Sequence, residues 1–225
     1  MKVLFGEIIV AGSGKLGGHV QSRNRGGPYV RTRVTPLNPN TPFQIAARQT
    51  LAVFSETWRT LTQAQITAWN EAVDNFKKTD VFGEIRRPTG KNLFTRLNIN
   101  LASIGIGSIS DPPAPTTIAE PTITGVTIDE PGNTFDIAFS GGSGNVGFQI
   151  WATESLSPGV SFSKPFFKLF TTEDGAVASP IDVDAAYRAR FGDPVVGQKI
   201  FVKLVPIENT TGQAGIGSED SAIVT

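Results

Sequence analysis

Prolines divide this chain before any other feature does. Pro36, Pro39 and Pro42 fall within seven residues, in Thr35-Pro-Leu-Asn-Pro-Asn-Thr-Pro42. Pro112, Pro113, Pro115 and Pro121 crowd a second stretch. Proline fixes φ and lacks a backbone donor, so neither cluster fits a helix interior or a central strand. The first reads as a stiff extended connector. The second, over 108–121, reads as a Pro/Ser/Thr linker and a domain boundary. The expected order is a β-arm over 1–41, a helical unit over 42–107, the linker, and a β domain over 122–225.

Each part has its own pattern. Residues 3–11 and 17–35 read as strands, with a turn signal at Arg25-Gly-Gly-Pro28. Thr41 suits an N-cap, with Pro42 at the first helical position. Phe43, Ala46, Ala47, Leu51, Phe54 and Trp58 then follow helical spacing. Thr62-Gln-Ala-Gln65 is a capping box that opens a second helix, with Ile66, Trp69, Ala72, Val73 and Phe76 on one face. The break between the two is short, so they should form a hairpin with Trp58 and Trp69 in its core. Val81–Ile85 reads as a short extended piece. Thr89 opens a third helix carrying Leu93, Leu97, Ile99 and Leu101.

Beyond the linker, strands are expected at Thr122–Ile128, Thr134–Phe139, Val146–Thr153, Phe166–Thr171, Lys199–Ile207 and Ser221–Val224. Turn residues separate them, a rhythm that suits an immunoglobulin- or fibronectin-like sandwich. Asp182–Gly192 interrupts it with an N-cap Asp, a helical body and a stop Gly, which predicts a short helix crossing the sandwich. The fold class is therefore α+β: an N-terminal β-arm or hairpin, a small helical unit, and a sandwich.

Charge is distributed unevenly along a chain whose net charge is zero. Residues 1–50 carry seven basic groups against one acid, and residues 106–225 carry six basic groups against fourteen acids. A basic head and an acidic tail suit oriented association with copies of the chain or with a partner. Cysteine is absent, which removes disulfides and thiolate metal sites. Glu7 interrupts the first apolar run, which argues against a secretion signal. No apolar run reaches the roughly 18–20 residues that span a bilayer, so no membrane partner is expected.

Glu7-Ile-Ile-Val-Ala-Gly-Ser-Gly-Lys-Leu-Gly-Gly18 contains Gly12-x-Gly14-x-x-Gly17, the spacing of a dinucleotide fingerprint. That site needs a helix after the glycines and an acid about 20 residues on. The continuation through Pro28 is a poor helix, and no acid occurs between Glu7 and Glu56. A phosphate loop would need Gly where Ile9 stands and Ser or Thr where Leu16 stands. The glycines are better read as allowing positive φ or close backbone approach in the arm. His19 is the sole histidine and sits in a glycine-rich arm, a poor place for a metal or a catalytic base. No catalytic residue, cofactor or metal ligand is assigned, and the chain is not expected to be an enzyme.

Lys15, Arg23, Arg25, Tyr29, Arg31 and Arg33 form the candidate interaction surface. The alternation of 23 with 25 and of 31 with 33 would line one face of a hairpin. Such a face suits phosphates, or an acidic surface such as the C-terminal domain of a neighbouring copy. With no stacking platform and no recognition-helix pattern, the reading favours protein over nucleic acid.

The motifs carry a resemblance. Gly14-Lys-Leu-Gly-Gly-His-Val20, Ser22-Arg-Asn-Arg-Gly26, Tyr29-Val-Arg-Thr-Arg-Val-Thr-Pro36 and Asn38-Pro39-x-Thr41 come first. Arg48, Trp58-Arg-x-Leu-Thr62-x-x-Gln65-x-x-Ala68-Trp69, Phe82-Gly83, Thr89 to Phe94 and Leu97-Asn98 follow. Gly159-Val-Ser-Phe162, Gly197 to Val202 and Thr211 to Gly215 close the series. In order and spacing this resembles a family of structural virion proteins of tailed bacteriophages and prophages, with crAss-like relatives. The resemblance implies a non-enzymatic, multi-copy virion component, assembled in the host cytoplasm and contacting copies of itself and other virion proteins. A capsid-associated auxiliary or decoration role is the first expectation, and a neck or tail position the second. A separate possibility is a surface or carbohydrate-binding sandwich, with Trp151 and Phe166-Phe167 as its exposed aromatics.

Overall fold

The computed structural model describes residues 12–141, 145–174 and 178–225. The strand expected over 3–11 lies outside them. The chain forms two compact units, one from Met1–Gln49 with Lys78–Arg86 and one from Thr50–Lys77 with Arg87–Thr225.

In the first unit, β1 (Gly14–Leu16), β2 (His19–Asn24) and β3 (Gly27–Thr32) make an antiparallel meander. The stretch 17–35 is thus two strands, broken at the turn signal of Arg25 and Gly26. Asn24 Oδ1 accepts from the Gly26 amide there, at 2.8 Å. A second turn at Gly17-Gly18 makes a hairpin with β1. Gly14 and Gly17 have φ of +115° and +55°, and a Cβ at either would meet nothing within 4 Å. These glycines therefore serve conformation and not close approach.

The proline connector that follows is exposed. Arg48 clips it to the start of α1 (Pro42–Thr60) by donating to Asn38 Oδ1 at 2.7 Å and Asn40 Oδ1 at 3.3 Å. β4 (Lys78–Thr79) and β5 (Ile85–Arg86) also belong to this unit. Val81–Ile85 is not a free extended piece but mostly the loop of this hairpin. Asp80 closes the loop by accepting from the amides of Phe82 (2.9 Å) and Glu84 (3.0 Å) and from Arg86 Nε (3.0 Å).

The second unit holds a helical cluster and two sheets. Thr62 caps α2 (Gln63–Ala72) in the expected reciprocal box, which satisfies two of the amides that every helix start leaves open. A 3₁₀ turn at Val73–Phe76 follows. Thr89 caps α3 (Gly90–Ser103). Trp58 and Trp69 share a core, but a third helix makes it: Phe94 of α3 lies 5.5 Å from Trp58 and edge-on to Trp69 at 5.4 Å. Only Phe54 is buried in α1. Phe43 and Leu51 remain 61% and 50% exposed, although they share the spacing of the core positions. Only the last turns of α1 reach this core, so the apolar stripe is longer than the cluster that buries it.

The linker has no regular structure, yet it is pinned. Ser110 O accepts from Trp69 Nε1 at 2.7 Å, and Gln213 Nε2 donates to Ala114 O at 3.2 Å.

The β region comprises β6 (Thr122–Asp129), β7 (Thr134–Ser140), β8 (Val146–Ala152), β9 (Lys168–Glu173), β10 (Ile181–Asp182), β11 (Lys199–Glu208) and β12 (Ser218–Ile223). A 3₁₀ turn, Lys164–Phe166, precedes β9. One sheet runs β10-β7-β6 and the other β12-β11-β8-β9, all antiparallel. Alternate residues Phe135 and Ile137 of β7, Phe148, Ile150 and Ala152 of β8, and Ile200, Val202 and Leu204 of β11 meet in a single core. That core makes the pair a sandwich. The helix expected between strands is α4 (Asp184–Phe191). Val183, not Asp182, is its N-cap, because Asp182 ends β10. Tyr187 fixes α4 to the core: its ring lies 5.0 Å from Phe135, and its hydroxyl donates to Thr153 O at 3.0 Å.

α3 docks on the sandwich. Asn100 Nδ2 donates to Gly212 O and Gln149 Nε2 to Ser103 Oγ, each at 2.8 Å.

Candidate functional site

The register of the meander decides which cations act together. Val20 pairs with Lys15 on one side and Arg31 on the other, and Ser22 pairs with Tyr29. The pairing continues past β3, where the Arg33 amide donates to Gly18 O at 2.8 Å. Residues directly opposite one another share a face, and the face alternates along a strand. Lys15, Tyr29, Arg31 and Arg33 therefore lie on one face. Arg23 stands opposite Pro28 on the other face, with His19, and Arg25 sits in the turn. Period-2 spacing related 23 to 25 and 31 to 33, but only cross-strand register relates one strand to the next.

All five cations are exposed and Tyr29 is half-buried. No carboxylate pairs with any of the five among the described residues. A row of cations on a sheet raises the local positive potential, which favours anionic groups, whether phosphates or carboxylates.

An acidic pair occurs on the sandwich. Asp136 of β7 lies directly opposite Asp182 of β10 and, on its other side, Thr127 of β6. Phe135 and Ile137 point into the core, so Asp136 points out. Like charges placed opposite each other across strands are unfavourable. This pair was not visible in the sequence, because β10 is two residues long and carries no pattern of its own.

Elsewhere the acids are partly compensated. Arg188 donates from Nε to both carboxylate oxygens of Asp184 (3.0 and 2.9 Å) and from Nη1 to Asp193 at 2.7 Å. Those bonds raise the guanidinium pKa above its already high value. Among the described residues no helix is long and apolar enough to cross a membrane. Nor do three or more His, Cys, Asp or Glu side chains gather there as a metal site.

The glycine-rich segment ends in a hairpin. β2 begins at His19, directly after Gly17-Gly18, where a dinucleotide fingerprint needs a helix N-terminus.

No protein-family model and no curated protein matches the sequence. Among solved structures, a Fn3-like protein from Clostridium thermocellum aligns at 14% identity over 48% of this chain and 91% of its own, with a TM-score of 0.29.

Proposed function

We propose that this chain is a non-enzymatic structural component of a tailed-phage virion, present in many copies. In this reading it is a capsid-associated auxiliary or decoration protein, and its sandwich is of the fibronectin type. The observation that carries the proposal is the presence of two faces of opposite charge: Lys15, Arg31 and Arg33 on one sheet, Asp136 and Asp182 on another. Each surface lacks internal counter-charges among the described residues, and each suits the other on a neighbouring copy. Contacts of that kind are heterologous, and they build closed rings or open filaments. The three-plus-four division of the strands and the order of the sequence motifs support the same reading.

The arm is expected to anchor the subunit. Removing residues 1–35 should abolish incorporation into particles while residues 122–225 stay folded, read by particle purification and circular dichroism. Normal incorporation of that truncation refutes the arm's role. Separating heads from tails and locating the chain tests the capsid assignment. Recovery with the tail fraction would replace it with a neck or tail position.

A further inference from the structure

The outer face of the four-stranded sheet carries a cavity of about 410 Å³. Its floor follows from strand alternation. Ile150 and Ala152 of β8 point into the core, so Gln149 and Trp151 point out. Lys203 of β11 stands opposite Trp151, and Val205 stands opposite Gln149. Glu219 of β12 stands opposite Lys203 and forms an ion pair with it. The wall comes from the β8–β9 connection, which brings Lys164 and Phe167 over the sheet. That connection is anchored: Leu156 exchanges both backbone hydrogen bonds with Lys199, at 2.9 and 2.8 Å. A register shift at Ile150/Trp151 also lies here, and such irregularities re-aim side chains beside sites.

The lining is an indole and a phenyl ring surrounded by a few polar groups, the usual make-up of a small-ligand site. Its volume lies at the small end of the range for such sites, roughly 300–1,000 Å³. The indole Nε1 of Trp151 is shielded from solvent and has no acceptor among the described residues. Gln149 uses one amide hydrogen on Ser103 and keeps its carbonyl for a ligand hydroxyl. Lys203 and Glu219 neutralise each other. Lys164 is exposed on the rim and has no carboxylate partner among the described residues. The lining therefore carries one uncompensated positive charge.

A flat C–H face for the indole, several hydroxyls and one negative charge describe an acidic monosaccharide unit. We propose that this cavity binds a sugar ring bearing a carboxylate, such as a uronic or sialic acid, with the ring against Trp151 and the carboxylate at Lys164. The site is independent of the charge faces used for assembly.

The test is calorimetric or saturation-transfer titration of the full chain with glucuronic acid, N-acetylneuraminic acid and neutral glucose. The expected result is saturable millimolar binding of at least one acid, about tenfold tighter than glucose. Trp151→Ala should abolish it, with some loss of thermal midpoint because the indole is half-buried. Lys164→Gln, at an exposed position, should lower acid affinity to the level of glucose, so the outcome does not depend on Trp151→Ala folding. Three results would overturn the proposal: no binding of either acid in the millimolar range, equal binding of glucose, or an unchanged acid preference in Lys164→Gln. Heparin and duplex DNA binding with equal strength to wild type and Trp151→Ala would mark a bare charge patch instead.

Discussion

Asn98 and Ile109 hold each other through two hydrogen bonds. The Ile109 amide donates to Asn98 Oδ1 at 2.7 Å, and Asn98 Nδ2 donates to Ile109 O at 3.2 Å. The same Nδ2 also donates to Phe94 O within α3, at 3.0 Å. Asn98 is fully buried, so its side chain serves as backbone-like partner for a segment that has no secondary structure of its own.

Asn98→Ala should therefore destabilise the second unit by about 1–3 kcal/mol, the usual cost of leaving buried polar groups unsatisfied. Urea unfolding measures this directly. A loss below about 0.5 kcal/mol, the range of ordinary surface substitutions, would show that the linker finds other partners.

Gly212 is the second pin between α3 and the sandwich. Its φ is +68°, and a Cβ there would stand 2.3 Å from Leu97 O. Gly212→Ala combines backbone strain with a backbone clash, and the strain alone costs about 1–3 kcal/mol. We expect a lower thermal midpoint and loss of the Asn100–Gly212 contact. An unchanged midpoint would mean that α3 does not sit against this turn in solution.

Burial pushes the Tyr187 phenol up to about 12 from its ordinary 10.0, with Glu154 adding to the shift. The neutral phenol is the form the core accepts. Its contribution to stability is complete below pH 10, where the unfolded phenol is also neutral, and is lost as pH rises from 10 through about 12. Tyr187→Phe should remove that alkaline slope, seen by denaturant unfolding at several pH values. It should also cost about 1 kcal/mol at neutral pH through the hydrogen bond to Thr153 O. A slope that persists in Tyr187→Phe would assign it to other groups.

If the two charge faces meet between copies, Lys15→Glu with Arg31→Glu and Arg33→Glu should block assembly without unfolding the monomer. Adding Asp136→Lys and Asp182→Lys should restore it. Light scattering at low and high salt would follow both, since exposed ion pairs weaken with salt. Assembly that persists in the triple variant, or that the compensating pair fails to rescue, rules out this contact.

Much of the fold is local and was legible in the residues. The Thr62 box, the Thr89 cap, the turn at Arg25-Gly26 and the period-2 runs of β6, β7, β8 and β11 each express a preference held within a few residues. The prolines likewise specified two non-helical connections by removing backbone donors. Register, burial and pairing are different, because they depend on what lies across a gap. Lys15 joins Arg31 and Arg33, and Arg23 does not, because antiparallel pairing aligns Val20 with both Lys15 and Arg31. Asp136 faces Asp182 through a strand too short to announce itself. Phe43 and Phe54 share one helical stripe, yet only Phe54 meets the core. Side-chain periodicity states which residues of one element can lie together. Only the tertiary contacts, through hydrogen-bond register and the reach of a finite core, decide what each face meets.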